Sequence, residues 1–336
     1  MLQGGVNTVL RILKRTATAV LTIFIIISIS FLFVRFMPGD PLIHLVGEEE
    51  YYFLIDHAPE VLEEISEKYG LDDPLYIQYA NYLRSVVTMD FGESYINHRS
   101  VVENVISASK RTLMLSIPTL ILGGLFGCVT GVLAGIRPGG IFDKISTPIA
   151  LILNTMPANC LALLLLIMFA YRMGIFPING MVSAGVTGAA RALNILWHMV
   201  LPISVLILSR TVSNYMLMKS AVSQVRHEEY ILTAVSKGLP SRIVLFRHIL
   251  RNAMLPYITS VCMQMGSLLS GAMVVEVVFG WKGMGMLFHD AVQSRDFPTA
   301  QLCFLISAIM VVGSALLSDI VNALLDPRIK EAAEYE

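Results

Sequence analysis

Six polar residues stand inside otherwise apolar runs of this chain: Asn154, Asn159, Arg210, Asn214, Gln264 and Glu276. Amides and charges in such places do one of two jobs. They line a watery path for a polar solute, or they bond one helix to its neighbour. Asn154 and Asn159 flank Pro157, whose missing N–H frees backbone groups that then need protein or water. A second polar set follows the run that holds Arg210. From Lys219 to Leu255 there are six Lys/Arg and two acids.

Within that basic stretch, Glu228–Gly238 reads as a short helix. Glu228 and Glu229 open it and Lys237 closes it, as the helix dipole favours. Gly238 is a natural residue just past the end, and Pro240 prevents continuation. Tyr230, Ile231, Ala234, Val235 and Gly238 recur at helical spacing and are expected on one face. A rod of about ten residues is roughly 15 Å long, too short to cross a bilayer. Its apolar face needs either a groove on a partner or the lipid surface.

Bond-making chemistry is missing. The sequence has no GxxxxGK[ST] for nucleotide phosphates, no HExxH and no GxSxG. Its seven histidines do not cluster at ligand spacing. Cys128, Cys160, Cys262 and Cys303 each lie in an apolar run without a CxxC. Several methionines lie close together between Met254 and Met286, and core filling is their commoner use than metal binding. The chain is therefore expected to be no enzyme, with no catalytic residue, no metal site and no cofactor of its own. Uphill transport by such a chain needs ion coupling or a separate motor. Ion-coupled carriers show internal repeats and intramembrane acids. No clear repeat is visible, and past the first span only Glu276 and Asp319 are acids in or beside an apolar run. An ion-coupled carrier or a channel is the alternative from another class.

These residues must be held by membrane-crossing elements. The chain is 55% hydrophobic and 15% charged, with a mean hydropathy of +0.68. Soluble domains carry about 25% charged residues, so this is an integral membrane protein. Spans are expected at 16–36, 112–136, 145–171, 195–218, 255–279 and 298–324. Arg11, Lys14 and Arg15 precede the first, which places the N-terminus inside. Residues 37–108 hold fourteen acids against three Lys/Arg and are expected outside, as a docking surface or as a solvated cap over the helix ends. Helices are expected there at 59–69 and 74–87. Basic residues at 137–144 and 219–251 mark inner turns, so both termini face the cytoplasm. Glycines 123, 124, 127, 131 and 135 in the second span suit close helix packing. The resulting division is 1–36 (N-terminus and first span), 37–108 (extracytoplasmic segment), 109–325 (core of five spans, with the loop 219–255) and 326–336 (cytoplasmic tail).

The inner loop also carries a resemblance. Glu229-Tyr230, Thr233-Ala234, Lys237-Gly238-Leu239, Arg247-His248, Arg251-Asn252-Ala253 and Leu255-Pro256 resemble the "EAA" loop of ABC importer permeases. The B-type subunits of the dipeptide/oligopeptide/nickel family are the most similar. Further matches run in the family's order: Met37–Pro41, Tyr69–Pro74, Asp90–Ser94, Arg111-Thr112, Glu276–Phe279, Gly283–Gly285 and Asp326–Ile329. The resemblance implies a type I ABC importer permease fold, all-α with six spans and an acidic extracytoplasmic insertion after the first. It implies a second homologous permease, two ATP-binding subunits that carry ATP and Mg, an extracytoplasmic substrate-binding protein and a prokaryotic cell membrane. Nucleic acid is not an expected partner. Glu228, Glu229, Tyr230, Thr233, Ala234, Lys237, Gly238, Arg247, His248 and Asn252 would then couple to an ATPase. The cargo would be di- or oligopeptides, with nickel or a metal chelate as the alternative. The chain departs from the pattern at Leu232, at Lys282-Gly283 and at Ala158-Asn159-Cys160, which puts the substrate in doubt and leaves the coupling loop intact.

Overall fold

The structure is a computed structural model that describes residues 2–36 and 41–325. Among these residues all regular structure is helical. The order is α1 (Leu2–Arg35), α2 (Pro41–Val46), α3 (Glu48–His57), α4 (Pro59–Lys68), α5 (Leu75–Thr88), α6 (Val101–Ile136), α7 (Ile141–Thr155) and α8 (Ala158–Leu165). It continues with α9 (Ala189–Arg226), α10 (Glu229–Ser236), α11 (Ser241–Ile243), α12 (Leu250–Met265), α13 (Met273–Phe279), α14 (Met284–Gln293) and α15 (Phe297–Leu325). Wider π-type turns extend α8 through Leu166–Arg172 and lead into α12 through Val244–Ile249.

Helices α6 and α9 form the spine. They have 36 and 38 residues, far more than the roughly 20 that a bilayer requires. Glycines at four-residue spacing on α6 meet α9 at the same spacing: Gly123 faces Arg210, Gly127 faces Asn214, Gly131 faces Met218 and Gly135 faces Val222. A Cβ added at Gly131 would lie 2.7 Å from the Cβ of Met218, and one at Gly135 would lie 2.8 Å from that of Val222. Two backbones approach this closely only where one has no side chain, which bears out the packing expected of these glycines.

Among the described residues three helices are long and apolar enough to cross a membrane: α6, α9 and α15. The pair α7 and α8 with its extension makes a fourth only as a bent unit, with a 102° turn between its arms. The span expected at 145–171 is thus bent in its middle. Pro157 clashes with a helical residue before it, and Met156 is driven to φ −81°, ψ 121°. The rod expected at 255–279 is also broken. Helix α12 ends at Met265, a run of turns fills 266–272, and α13 resumes at Met273. A glycine opens that break, where Gly266 packs against Val311 and Ser314 of α15. The first expected span lies within α1, whose apolar part is the shorter stretch Thr16–Leu32.

The acidic segment folds over the ends of α1 and α15. Its helices α4 and α5 fall where the periodicity of 59–69 and 74–87 placed them. Tyr82 stacks on Phe31 of α1 with ring centres 5.6 Å apart. Tyr79 bonds Ser28 of α1 at 2.6 Å. The buried carboxylate of Asp296, just before α15, accepts from the Ser94 hydroxyl at 2.5 Å and the Tyr95 N–H at 3.3 Å. The 37–40 and 326–329 motifs and the tail lie outside the described residues.

Candidate functional site

Helix α10 is shorter than the eleven residues expected, with eight residues from Glu229 to Ser236. Glu228 and Lys237 are its flanking caps, and Gly238 turns the chain away at φ +74°. A β-carbon is disfavoured in that left-handed conformation, which is the physical reason for a glycine there. The expected single apolar face is corrected. Ile231 and Ala234 are buried, at 3% and 5% exposure, while Leu232 and Val235 are 61% and 58% exposed. The helix therefore has two neighbouring apolar sides, one buried and one exposed. One packs into a cluster with Val222, Val244, Ile249, Ala253 and Tyr257. The other presents Leu232 and Val235 to solvent.

Polar contacts lock α10 to the chain that follows. Asn252 donates its side-chain N–H to the Tyr230 hydroxyl at 2.7 Å and to the His248 carbonyl at 3.1 Å. The Thr233 hydroxyl caps the Glu229 carbonyl at 3.1 Å. Glu228, Glu229, Lys237 and Arg247 are exposed, and His248 is half-buried. The residues predicted for this loop thus form one body. Tyr230, Ala234, His248 and Asn252 hold it together, and the charged ones face outward.

At the near end of the spine, an ion pair fixes α7 to α9. Lys219 Nζ lies 2.5 Å from Asp143 Oδ1. Thr147 donates to the same oxygen at 2.7 Å and accepts from Lys219 at 2.7 Å. The Tyr215 hydroxyl bonds Ser146 and Thr147, each at 2.8 Å. The Lys219 hydrogen bond, aided by the Gly139 N–H and by Thr147, pulls the Asp143 carboxyl down to about 2. Sequence reasoning missed this pair. Its members are 76 positions apart, so no local spacing marks them. The only sequence sign is opposite charge at the ends of two adjacent apolar runs.

Of the six polar residues singled out within apolar runs, three meet. Arg210 donates to Gln264 Oε1 at 3.1 Å and to Ser267 Oγ at 2.9 Å. Gln264 donates in turn to Asn214 at 2.9 Å and to Ser260 at 3.3 Å. Asn214 is buried, while Arg210 and Gln264 are half-buried. Ser260 and Ser267 were not foreseen, because small hydroxyls in apolar runs give little sequence signal.

Glu276 is placed elsewhere and is fully buried. Its Oε1 accepts from Thr112 at 2.5 Å and its Oε2 from the Met286 N–H at 3.0 Å. Thr112 also accepts from the Met284 N–H at 2.7 Å. Nearby, Trp281 donates to the Arg111 carbonyl at 2.9 Å, and Arg111 donates to the Lys282 carbonyl at 3.1 Å. Three motifs of the resemblance (Arg111-Thr112, Glu276–Phe279 and Gly283–Gly285) therefore converge on one buried knot. Asn154 and Asn159 are exposed on the two arms of the bend and join neither group. Among the described residues no three His, Cys, Asp or Glu side chains could hold a metal ion.

Comparison with known proteins gives the frame. Residues 127–331 match the family described as the binding-protein-dependent transport system inner membrane component. Residues 9–116 match the N-terminal part of the same kind of component. The glutathione transport system permease protein GsiC of Escherichia coli strain K12 is 33% identical over 322 residues, covering 95% of this chain and 98% of that protein. The dipeptide transport system permease protein DppB of the same strain is 32% identical over 338 residues, with the same two coverages. A crystal structure of an amino acid ABC transporter superposes with a TM-score of 0.51 at 15% identity, over 66% of this chain and 94% of that one. That likeness concerns the fold.

Proposed function

We propose a function for a chain that belongs to the family of binding-protein-dependent transport system inner membrane components. It is the membrane-spanning subunit of an ABC importer that takes up di- and oligopeptides. The observation that carries this reading is near-complete alignment, 95% of the chain, with permeases named for dipeptide and for glutathione. The motor lies elsewhere: two partner subunits bind and hydrolyse ATP with Mg. A second homologous permease completes the pathway, and an extracytoplasmic binding protein delivers peptide.

The chain crosses the membrane six times with both termini in the cytoplasm, a reading that the basic inner turns favour. The crossings are α1, α6, the bent α7–α8 unit, α9, the broken α12–α13 unit and α15. The bend and the break then sit at membrane depth, where non-helical backbone is tolerated against protein or water. The domain division is the one read from the sequence: 1–36, an acidic outer segment 37–108, a core 109–325 and the tail 326–336. Helix α10, with Glu228, Glu229, Thr233, Lys237, Gly238 and Arg247 around it, is the peg that enters the ATPase. Because Tyr230, Ala234, His248 and Asn252 lock it to α12, a push on Leu232 and Val235 moves α12 as a unit. ATP-driven closure would swing the spans between two access states.

Co-purification from native membranes tests the reading. The affinity-tagged chain should bring down a second permease and two ATPases, and the complex in vesicles should import peptide only with ATP and the binding protein. Import without ATP, or isolation of the chain without an ATPase, would contradict it.

A further inference from the structure

We propose that Arg210 reads the C-terminal carboxylate of a peptide as it passes the break between α12 and α13. The proposal rests on the peptide-importer reading above.

Arg210 lies near the middle of α9, a helix apolar enough to cross a membrane. A charge at that depth is costly unless it faces protein or water. The side chain is held, yet its charge is not cancelled. Both recorded partners, the Gln264 amide oxygen and the Ser267 hydroxyl, are neutral. The ion pair between Lys219 and Asp143 lies apart from Arg210, and no carboxylate among the described residues pairs with Arg210. Gln264 is itself fixed by Asn214 and Ser260, so the guanidinium is oriented from two shells of neutral groups. Gly123 pins the start of the side chain: a Cβ there would stand 2.8 Å from that of Arg210.

The place it is held supplies the second observation. Gln264 and Ser267 straddle the point where α12 loses its helix, at Gly266. Ser270 and Gly271 in the turns beyond are exposed. Non-helical backbone cannot face lipid and lines protein or a water-filled cavity. A guanidinium has five N–H donors in a rigid fork. Gln264 and Ser267 take two, which leaves donors free for a carboxylate, the planar anion that the fork fits. Every unmodified peptide ends in one. The site thus recognises the feature that all cargo shares and ignores the side chains that vary.

The test uses the complete complex with its binding protein in vesicles. Two pools of the same di- and tripeptides are offered, one with free C-termini and one amidated, and imported peptide is read by mass spectrometry. Each variant is compared with wild type for each pool, so the binding protein's own preference cancels. Arg210→Gln should lower uptake of the free-terminus pool about tenfold, the usual weight of a charge-assisted hydrogen bond, and change the amidated pool less than twofold. Arg210→Lys keeps the charge without the fork and should show the same selective loss, smaller in size. Where the amidated pool is not imported by wild type, the readout is ATP hydrolysed per free-terminus peptide, which should rise about tenfold in Arg210→Gln. Equal losses for both pools, an unchanged ATP cost, or no change in either variant would overturn the proposal. Equal losses together with a disassembled complex would show Arg210 pairing instead with an acid of the second permease. A wild-type complex that imports neither pool refutes the peptide reading itself.

Discussion

Asn252 donates a 2.7 Å hydrogen bond to the Tyr230 hydroxyl, joining a short exposed helix to the start of a long one. Twenty-two residues separate them in sequence, including α11 and a π-type turn. The bond closes that excursion into one rigid piece. Tyr230→Phe removes the acceptor and leaves Asn252 its bond to His248, so the cost in stability should be about 1 kcal/mol. The larger effect should be on coupling: more ATP hydrolysed per peptide imported in the reconstituted complex. An unchanged ratio would mean that α10 moves α12 without this bond.

The glycine ladder of α6 allows a sharper stability test. Gly131→Val puts a branched side chain where even a Cβ lies 2.7 Å from that of Met218. Overpacking of this kind costs about 1–3 kcal/mol and should lower the melting temperature of the purified chain. Gly313→Ala, on α15 where nothing lies within 4 Å of an added Cβ, should not lower it, because alanine is the better helix former.

The knot around Glu276 predicts an asymmetry between two substitutions. Glu276→Ala strands the Thr112 hydroxyl and the Met286 N–H in a fully buried site, at about 1–3 kcal/mol. Glu276→Gln keeps an acceptor oxygen and the volume, and should lose less. Thermal unfolding of both variants decides it, and equal losses would place the cost in charge rather than in hydrogen bonding.

The Asp143–Lys219 pair gives a pH dependence. The carboxyl is lowered from 3.8 to about 2 in the folded chain. Its contribution is therefore present above the ordinary carboxylate value and is lost as pH falls from about 4 towards 2. Wild type should lose stability relative to Asp143→Asn across that window, and the two should run parallel from pH 5 to 7. A difference between them that stays constant down to pH 2 would contradict the pairing.

Much of this was legible in the sequence, and the misses share a cause. Periodicity and caps located α4, α5 and α10, because those signals are local. Gly238 was readable as a terminator because few other residues tolerate its conformation. The bend at Pro157 and the break at Gly266 lie inside stretches that read as single spans, since hydropathy averages over a window and is blind to direction. The burial of Ile231 and Ala234 but not Val235 depends on where α12 packs, which no eleven-residue pattern contains. Arg210, Asn214 and Gln264 were each noticeable as polar residues in apolar runs. That they join one another, while Asn154 and Asn159 stay apart, is set by how α12 packs against α9.

The proposed transport cycle requires α10 to receive force from a separate ATPase through its exposed side. Leu232 and Val235 are largely exposed, so Leu232→Asp with Val235→Asp should spare the fold. The most direct measurement is capture of the ATPase subunits by the tagged double variant in detergent. Normal insertion, retention of the second permease and loss of the ATPases are expected. Undiminished ATPase capture with normal peptide uptake would contradict it.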